Sequence, residues 1–332
     1  MKKRILSLFI VFIFFITALS GCKKNTSKDL QQVTLNEVAH SIFYAPQYVA
    51  IELGYFEEEG IDLNLVTGFG ADKVMTALVS GEADIGFMGS ESSIYVYNQD
   101  AEDYIVNFAQ LTQRAGNFLV AREPMEDFQW TDLIGKEVLG GRKGGMPEMI
   151  LEYILNEHEI DPNKDLTIEQ GIDFGSTAAA FSGGQGDYSM EFEPSATALE
   201  IEGAGFVVAS LGVDSGYVPY TAYSAKTSYI KENPAILQGF TNAMQKGMDY
   251  VLSHTPKEIA KVIQPQFKET DLDTITTIVK RYDDQDTWKG DLIFEENSFE
   301  LLQDILDLAG ELEQRAPYQK LVDTTFAEEA IK

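Results

Sequence analysis

The sequence predicts an α/β protein of two lobes, each a mixed sheet flanked by helices, joined by a hinge of two chain crossings. Its 332 residues are enough for about two domains. Strand-like and helix-like segments alternate along most of the chain, which is typical of a largely parallel sheet covered by helices. The alternation stops at the polar segment 123–132 and then restarts, which indicates a second lobe.

The first lobe is expected at 32–121 and 226–332. Alternating apolar and polar residues predict strands, and apolar residues three or four apart predict helices that end at glycines such as Gly81. In chain order the predicted elements are strand 33–39, helix 45–54, strand 61–67, helix 71–80, strand 84–88, helix 90–99 and strands 104–111 and 117–121.

The second lobe is expected at 122–225, and an extended segment at 220–225 returns the chain to the first lobe. Crossings near 121–124 and 222–226 would form the hinge. Residues 283–296 are expected to be a surface loop. The other predicted elements are strand 136–140, helix 149–158, strand 165–170, helix 176–181, strand 188–192, helix 196–201, strand 206–211 and helices 235–253, 256–264, 271–282 and 297–314.

The start of the chain has the features of an export signal. A basic beginning is followed by an apolar run at 5–19, which is too short to span a membrane comfortably and predicts a signal peptide at 1–21. The motif Leu19-Ser20-Gly21-Cys22 resembles the bacterial lipobox, and this resemblance implies cleavage before Cys22 and acylation of that residue. Residues 22–31 would then tether the protein to the extracytoplasmic face of the cell membrane.

Composition excludes several classes of protein. The chain has 53 Asp and Glu against 25 Lys and Arg, a net charge of −28, so it would repel nucleic acid. Cys22 is the only cysteine, and lipidation would consume its thiol, leaving none for a disulfide, a nucleophile or a zinc site. The H-E-x-x-H and G-x-S-x-G motifs are absent. We therefore expect no catalytic residue, metal ion or cofactor.

Two motifs resemble a known family. The loop 40–46 leads into a helix that ends at Gly54-Tyr55-Phe56, and 77–86 reads ALVSGEADIG. Together they resemble solute-binding proteins of the nitrate, taurine and thiamine-pyrimidine-precursor group, the SsuA/THI5-like or NMT1-like family, over roughly 33–325. The resemblance implies a type II periplasmic-binding-protein-like fold and delivery of a small-molecule solute to an ABC permease with a separate ATPase subunit. We expect a monomer that touches the membrane only through its lipid.

Ligands of open α/β sheets bind beyond the carboxyl ends of the strands, so the loops there supply the candidate site. The alternative role of each candidate is structural: aromatic residues would pack in the core, Ser, Thr and first-turn Glu side chains would cap helices, and charged residues at strand ends would be solvated. The candidates are His40, Phe43, Tyr44, Ser90, Glu91, Gln113, Arg114, Gly145, Met146, Phe174, Ser176, Thr177, Glu193 and Tyr220.

These side chains leave two kinds of solute open. The aromatic residues suggest stacking on a flat ring, and Glu91 and Glu193 suggest amine donors, which favours a pyrimidine-like thiamine precursor or a related N-heterocycle. Arg114 would instead suit an alkylsulfonate, taurine or nitrate.

An enzyme is the rival class, because the resemblance extends to fungal thiamine-pyrimidine synthases. Those proteins use a cysteine-rich motif together with His and Lys, whereas this chain has three His and one Cys. We therefore expect a binding protein and not an enzyme.

Overall fold

A computed structural model describes residues 30–173 and 175–332. The predicted signal peptide, Cys22, the tether up to residue 29 and Phe174 lie outside these residues. Gln31, the last residue of the predicted tether, begins the first strand. None of the helices in the described part of the chain is long and apolar enough to cross a membrane.

Ten strands form two five-stranded sheets in this part of the chain. In chain order they are β1 (Gln31–Glu37), β2 (Ile61–Thr67), β3 (Ile85–Gly89), β4 (Ile105–Thr112), β5 (Asn117–Ala121), β6 (Glu137–Leu139), β7 (Thr167–Glu169), β8 (Tyr188–Phe192), β9 (Phe206–Ser210) and β10 (Thr221–Lys226).

The helices lie between and after these strands. In chain order they are α1 (Ala45–Glu52), α2 (Tyr55–Glu58), α3 (Ala71–Ser80), α4 (Ser92–Asn98), α5 (Met146–Glu157), α6 (Thr177–Ser182), α7 (Ser195–Glu202), α8 (Leu211–Asp214), α9 (Thr227–Glu232), α10 (Pro234–Ser253), α11 (Pro256–Ile263), α12 (Leu272–Asp284), α13 (Glu296–Leu308), α14 (Tyr318–Leu321) and α15 (Thr325–Ala330).

Both sheets are mixed, as predicted. The first has the order β2-β1-β3-β10-β4, with β1 parallel to β2 and β3, and with β10 antiparallel to β3 and β4. The second has the order β7-β6-β8-β5-β9, with β6 parallel to β7 and β8, and with β5 antiparallel to β8 and β9. The single antiparallel strand within each sheet connects the two halves of the fold.

The strand pairing moves both lobe boundaries from their expected positions. Strand β5 was expected in the first lobe but pairs in the second sheet, and β10 was expected in the second lobe but pairs in the first. The crossings therefore lie at 113–116 and 215–220. Alternation of apolar and polar residues identifies a strand from its own sequence, but the sheet that a strand joins depends on partner strands far away in the chain. The sequence pattern therefore placed the crossings between the lobes at the wrong residues.

Local signals set the limits of several elements. Helix α3 ends at Gly81, whose φ of 82° is the left-handed conformation that favours glycine at a helix end. Helix α11 begins with a capping box, in which the side chains of Thr255 and Glu258 each accept a hydrogen bond from the other residue's backbone N–H. Such signals are local, so they could be read from the sequence.

The segment after α12 differs from the expected surface loop. Trp288 is buried and its indole Nε1–H donates to the carbonyl oxygen of Phe43 at 2.9 Å. The N–H of Gln113 donates to the carbonyl oxygen of Thr287 at 2.9 Å. This segment is therefore packed against the end of β4, within the compact unit Gln31–Lys332.

Candidate functional site

A cavity of about 140 Å³ lies between the two lobes, and we call it the cleft. Strand ends and helix starts from both lobes surround it, as the general rule for open α/β sheets requires. From the first lobe and its return crossing it is lined by Val38, Tyr44, residues 69–73, Gly89, Glu91, Tyr220 and Thr221, and from the second by residues 141–142, 145–147, 170–173 and Phe192.

Glu91 is the cleft residue with the least satisfied polar group. Its side chain follows β3, is only 1% exposed, and its Oε2 atom has no hydrogen-bond partner. A Cβ atom at residue 89 would lie 2.1 Å from that Oε2 atom, so glycine is required there for the carboxyl to occupy its position. An unpaired buried acceptor has a desolvation cost that a ligand donor would relieve.

The pKa of Glu91 is raised to about 7. Burial is the main cause, because it disfavours the ionised form, and it is partly offset by the backbone N–H of Glu91 itself, the charge of Arg142 and the backbone N–H of Met146. Near neutral pH this carboxyl can therefore accept hydrogen bonds when ionised or donate one when protonated.

Four aromatic side chains line the cleft, namely Tyr44, Phe69, Phe192 and Tyr220. Tyr44 and Tyr220 are buried, and burial raises the pKa of each well above its ordinary value, so both hydroxyls stay neutral. The ring of Phe43 lies behind them, with its centroid 5.0 Å from that of Tyr44, 5.7 Å from that of Tyr220 and 5.8 Å from that of Phe192. The wall is thus rigidly packed and suited to a flat apolar group.

The remaining polar lining has both signs of charge. The starts of α3 and α5 lie at the cleft. The first turn of α3 presents free backbone N–H groups there, whereas at the start of α5 the N–H of Met146 already bonds Glu91 and Pro147 has no N–H. Lys73 and Arg142 add positive charge, whereas Asp72 and Asp173 add negative charge. Among residues 30–173 and 175–332, no group of three or more His, Cys, Asp or Glu side chains is arranged to hold a metal ion.

Contacts between the lobes lie beside the cleft. The hydroxyl of Ser41 donates to the carbonyl oxygen of Glu193 at 2.6 Å, and the hydroxyl of Tyr282 donates to the carbonyl oxygen of Gly116 at 2.8 Å. These bonds tie the first lobe to the second and to the crossing at 113–116.

Comparison with known proteins agrees with this architecture. Residues 42–259 match the family described as NMT1/THI5 like. The chain is 48% identical over 316 residues to YtlA of Bacillus subtilis (strain 168), which carries the provisional name of a binding protein, and the match covers 95% of this chain and 94% of that one. The chain belongs to the NMT1/THI5-like family.

Solved structures show that the fold of this family member is that of periplasmic-type solute-binding proteins. The alkanesulfonate-binding protein SsuA from Xanthomonas axonopodis pv. citri, bound to MOPS, has a TM-score of 0.72 at 14% identity, covering 89% of this chain and 98% of that one. The periplasmic nitrate-binding protein NrtA from Synechocystis PCC 6803 has a TM-score of 0.70 at 14% identity, covering 91% and 88%.

Five of the residues proposed from the sequence meet at the cleft of this NMT1/THI5-like protein. They come from two loops of the first lobe, one loop of the second lobe and the return crossing, and are Tyr44, Glu91, Gly145, Met146 and Tyr220. Thr177 lines a smaller cavity next to the cleft. Phe174 lies outside the described residues.

The other proposed residues lie away from the cleft. Glu193 is fully buried in an ion pair with Arg281, and its two oxygens accept bonds from the hydroxyl and N–H of Thr197 at 2.9 Å each. Arg114 donates to the carbonyl oxygen of Gly212 and stacks on Tyr217. Both charges are therefore used within the protein, which corrects the roles expected for them.

The remaining five such side chains also have internal partners or lie apart. His40 bonds Glu37 and packs on a phenylalanine, Phe43 is in the core, Ser90 donates to the carbonyl oxygen of Pro219, and Gln113 donates to carbonyl oxygens of the segment 286–288. Ser176 precedes α6 without lining the cleft and without a side-chain capping bond. The local sequence patterns identified four segments that reach the cleft, but they did not show which side chains of those segments line it.

The sequence analysis missed several lining residues. The segments 69–73 and 170–173 and the side chains of Arg142 and Phe192 were not proposed. One available signal was the pair of glycines at 68 and 70 directly before a predicted helix, since they mark a loop whose backbone lies close to its surroundings.

Proposed function

We propose that this chain is an extracytoplasmic solute-binding lipoprotein that captures a small molecule in the cleft and delivers it to an ABC importer. Membership of the NMT1/THI5-like family, the two-lobe fold and the position of the cleft between the lobes support this proposal. Lipidation at Cys22 would hold the protein at the membrane, where its permease lies, and a separate subunit would hydrolyse ATP.

Capture would work by closure of the lobes around the solute. The two crossings at 113–116 and 215–220 are short, so rotation about them would open and close the cleft. A solute that contacts both lobes binds the closed form better than the open form and so shifts the population toward it. The permease would then recognise the closed form.

For the solute we propose an amino-bearing flat heterocycle, such as a pyrimidine-like thiamine precursor. The buried and unpaired Oε2 atom of Glu91 carries this proposal, since an amine donor on the ring would satisfy it. Tyr44, Tyr220 and Phe192 would hold the ring faces. Glu91 thus takes the role that the sequence analysis assigned to Glu193.

A small oxyanion such as an alkylsulfonate, taurine or nitrate is the second candidate. The start of α3, together with Lys73 and Arg142, favours it because backbone N–H groups and cations stabilise a negative charge. SsuA is an alkanesulfonate-binding protein and NrtA is a nitrate-binding protein, so both bind solutes of this kind. Glu91 would then oppose the anion unless it were protonated.

A catalytic role like that of the fungal thiamine-pyrimidine synthases has less support. The three histidines of the chain are His40, His158 and His254, and none of them lines the cleft. The single cysteine is at residue 22. Of the side chains that this chemistry uses, the described lining of the cleft therefore has a lysine, Lys73, but no histidine or cysteine, which supports a binding protein.

The test is a calorimetric titration of the protein begun at Lys23, with an aminopyrimidine, an alkylsulfonate and nitrate, each compared between the native protein and Glu91→Gln. A hydrogen bond to a charged group is worth about 1.5–3 kcal/mol, so aminopyrimidine affinity should fall by about tenfold or more in the variant. Sulfonate or nitrate affinity should stay unchanged or rise, because a negative charge has been removed.

The matched control is Glu57→Gln, which makes the same change on an exposed surface of α2 and should alter no affinity. An aminopyrimidine that binds native protein and Glu91→Gln equally well would disprove the role of Glu91. Binding of sulfonate or nitrate alone would retain the importer function and favour the second candidate. A thermal-shift screen finds the ligand first, since a solute at about 100 Kd adds about 2.7 kcal/mol of stability.

A further inference from the structure

A second cavity of about 60 Å³ lies beside the cleft, and we call it the side pocket. Gly141, Pro147 and Phe192 line both cavities, so the side pocket is directly adjacent to the cleft. Its remaining lining is Gly140, Gly175, Thr177, Ala178, Met190, Glu191 and Ser195. Nothing in the proposed capture mechanism uses this space.

The side pocket is apolar except around Glu191. This residue is 4% exposed, and its Oε1 atom accepts from the hydroxyl of Ser189 at 2.5 Å while Oε2 accepts from the hydroxyl of Thr177 at 3.2 Å. Each carboxylate oxygen can accept two hydrogen bonds, so each has capacity for one more donor. The two hydroxyls also fix the orientation of the carboxyl, which makes it a preorganised acceptor.

All residues of the side pocket belong to the second lobe. They lie between residues 140 and 195, mainly on β8, on α6 and at the start of α7. The cleft, in contrast, needs both lobes for its walls. The side pocket therefore keeps its shape when the lobes separate, and it can hold one end of a solute before closure.

We propose that the side pocket is a second subsite, which holds a short arm of the solute that ends in a hydroxyl or amino group donating to Glu191. This inference rests on the proposed function, because the main body of the solute occupies the cleft. The solute is then a two-part molecule, with a compact head between the lobes and a small hydrogen-bonding arm in the second lobe.

The experiment uses two matched pairs of probes and the protein begun at Lys23. One pair is an aminopyrimidine with a hydroxymethyl arm and the same ring with methyl in its place. The other pair is hydroxyethanesulfonate and propanesulfonate. In whichever pair binds, the hydroxyl member should bind about tenfold more tightly, which is the effect expected for one hydrogen bond to a carboxylate.

Three variants locate that preference. Glu191→Met removes the acceptor, so it should abolish the preference and leave the affinity for the methyl member unchanged. Ala178→Leu fills the side pocket, so it should abolish the preference and weaken binding of both members. Ala179→Leu, an exposed neighbour on the same helix, is the control and should keep the preference. If Ala178→Leu does not fold, Glu191→Met decides the question by the same readout.

The outcomes separate this inference from the proposed function. Equal binding of both members of a pair to native protein would overturn the side-pocket inference and leave the proposed function intact. A hydroxyl preference that persists in Ala178→Leu or Glu191→Met would also overturn it. Failure of all four probes to bind would overturn the proposed function for these solute classes, and the side-pocket inference with it.

Discussion

Arg281→Met should destabilise the protein by about 2 kcal/mol, because Arg281 neutralises a buried carboxylate across the lobe contact. Arg281 lies on α12 in the first lobe and pairs with Glu193 at the end of β8 in the second. The Glu193 side chain is 0% exposed, whereas Arg281 is 28% exposed. The substitution retains most of the apolar stem and removes the charge.

The magnitude follows from what remains around Glu193. Removal of one partner of a buried ion pair costs about 3–5 kcal/mol. Two hydrogen bonds from Thr197 still stabilise the carboxylate, and the partial exposure of Arg281 means that water can replace part of its charge, so about 2 kcal/mol is expected. At an m-value of about 3 kcal/mol/M this moves the urea midpoint by about 0.7 M.

The loss should depend on pH. Burial raises the pKa of Glu193, and the charge of Arg281 together with the bonds from Thr197 opposes that rise. Without Arg281 the pKa rises further, so the variant binds a proton that the native protein does not. The difference in free energy of unfolding should therefore be larger near pH 8 than near pH 5, because the carboxyl of the variant takes up its proton first as the pH falls and thereby loses its uncompensated charge.

Urea unfolding followed by tryptophan fluorescence at both pH values measures this difference. Arg315→Met is the control, since Arg315 is 46% exposed and pairs with the exposed carboxylates of Glu300 and Asp304. Such surface pairs contribute less than about 1 kcal/mol. An equal loss in both variants, or a loss in Arg281→Met that does not change with pH, would refute the reasoning.

Two further predictions concern the first lobe. Gly247→Ala would place a Cβ atom 2.2 Å from the carbonyl oxygen of Pro46. This overlap should destabilise the protein by about 1–3 kcal/mol, and the better helix propensity of alanine should reduce that loss by up to about 1 kcal/mol, so the thermal midpoint should fall. Gly239→Ala on the same helix is the control, because its Cβ would meet its nearest atom at 3.3 Å and should change the thermal midpoint little. Burial lowers the pKa of His40, but its hydrogen bond to Glu37, a backbone carbonyl and the Glu37 charge outweigh this and raise it. The stability that protonated His40 contributes is therefore complete below its unfolded pKa of about 6.5 and is lost as the pH rises through the folded pKa. The difference in free energy of unfolding between native protein and His40→Asn, measured by urea unfolding, should shrink from pH 6 to pH 9. A difference that stays constant over this range would contradict the prediction.

Local sequence determined the elements and their class. Alternation located β2 at the residues where the structure has it, and a glycine after an apolar helix located the end of α3. The two family motifs lie in the first lobe, where chain-local contacts suffice to form the strand, loop and helix they encode. These features need only neighbours within a few residues, so one sequence was enough to predict them.

Tertiary structure decided which sheet each crossing strand joins and which carboxyl lines the cleft. Glu91 and Glu193 both follow buried strands, and nothing local distinguishes them. The fold brings Arg281, 88 residues further along the chain, against Glu193, whereas Glu91 receives no such partner for its Oε2 atom. Pairing over that separation is fixed by the packing of whole lobes. The sequence by itself therefore determined the two-lobe α/β fold, and only the tertiary structure determined that the unpaired carboxylate oxygen in the cleft belongs to Glu91.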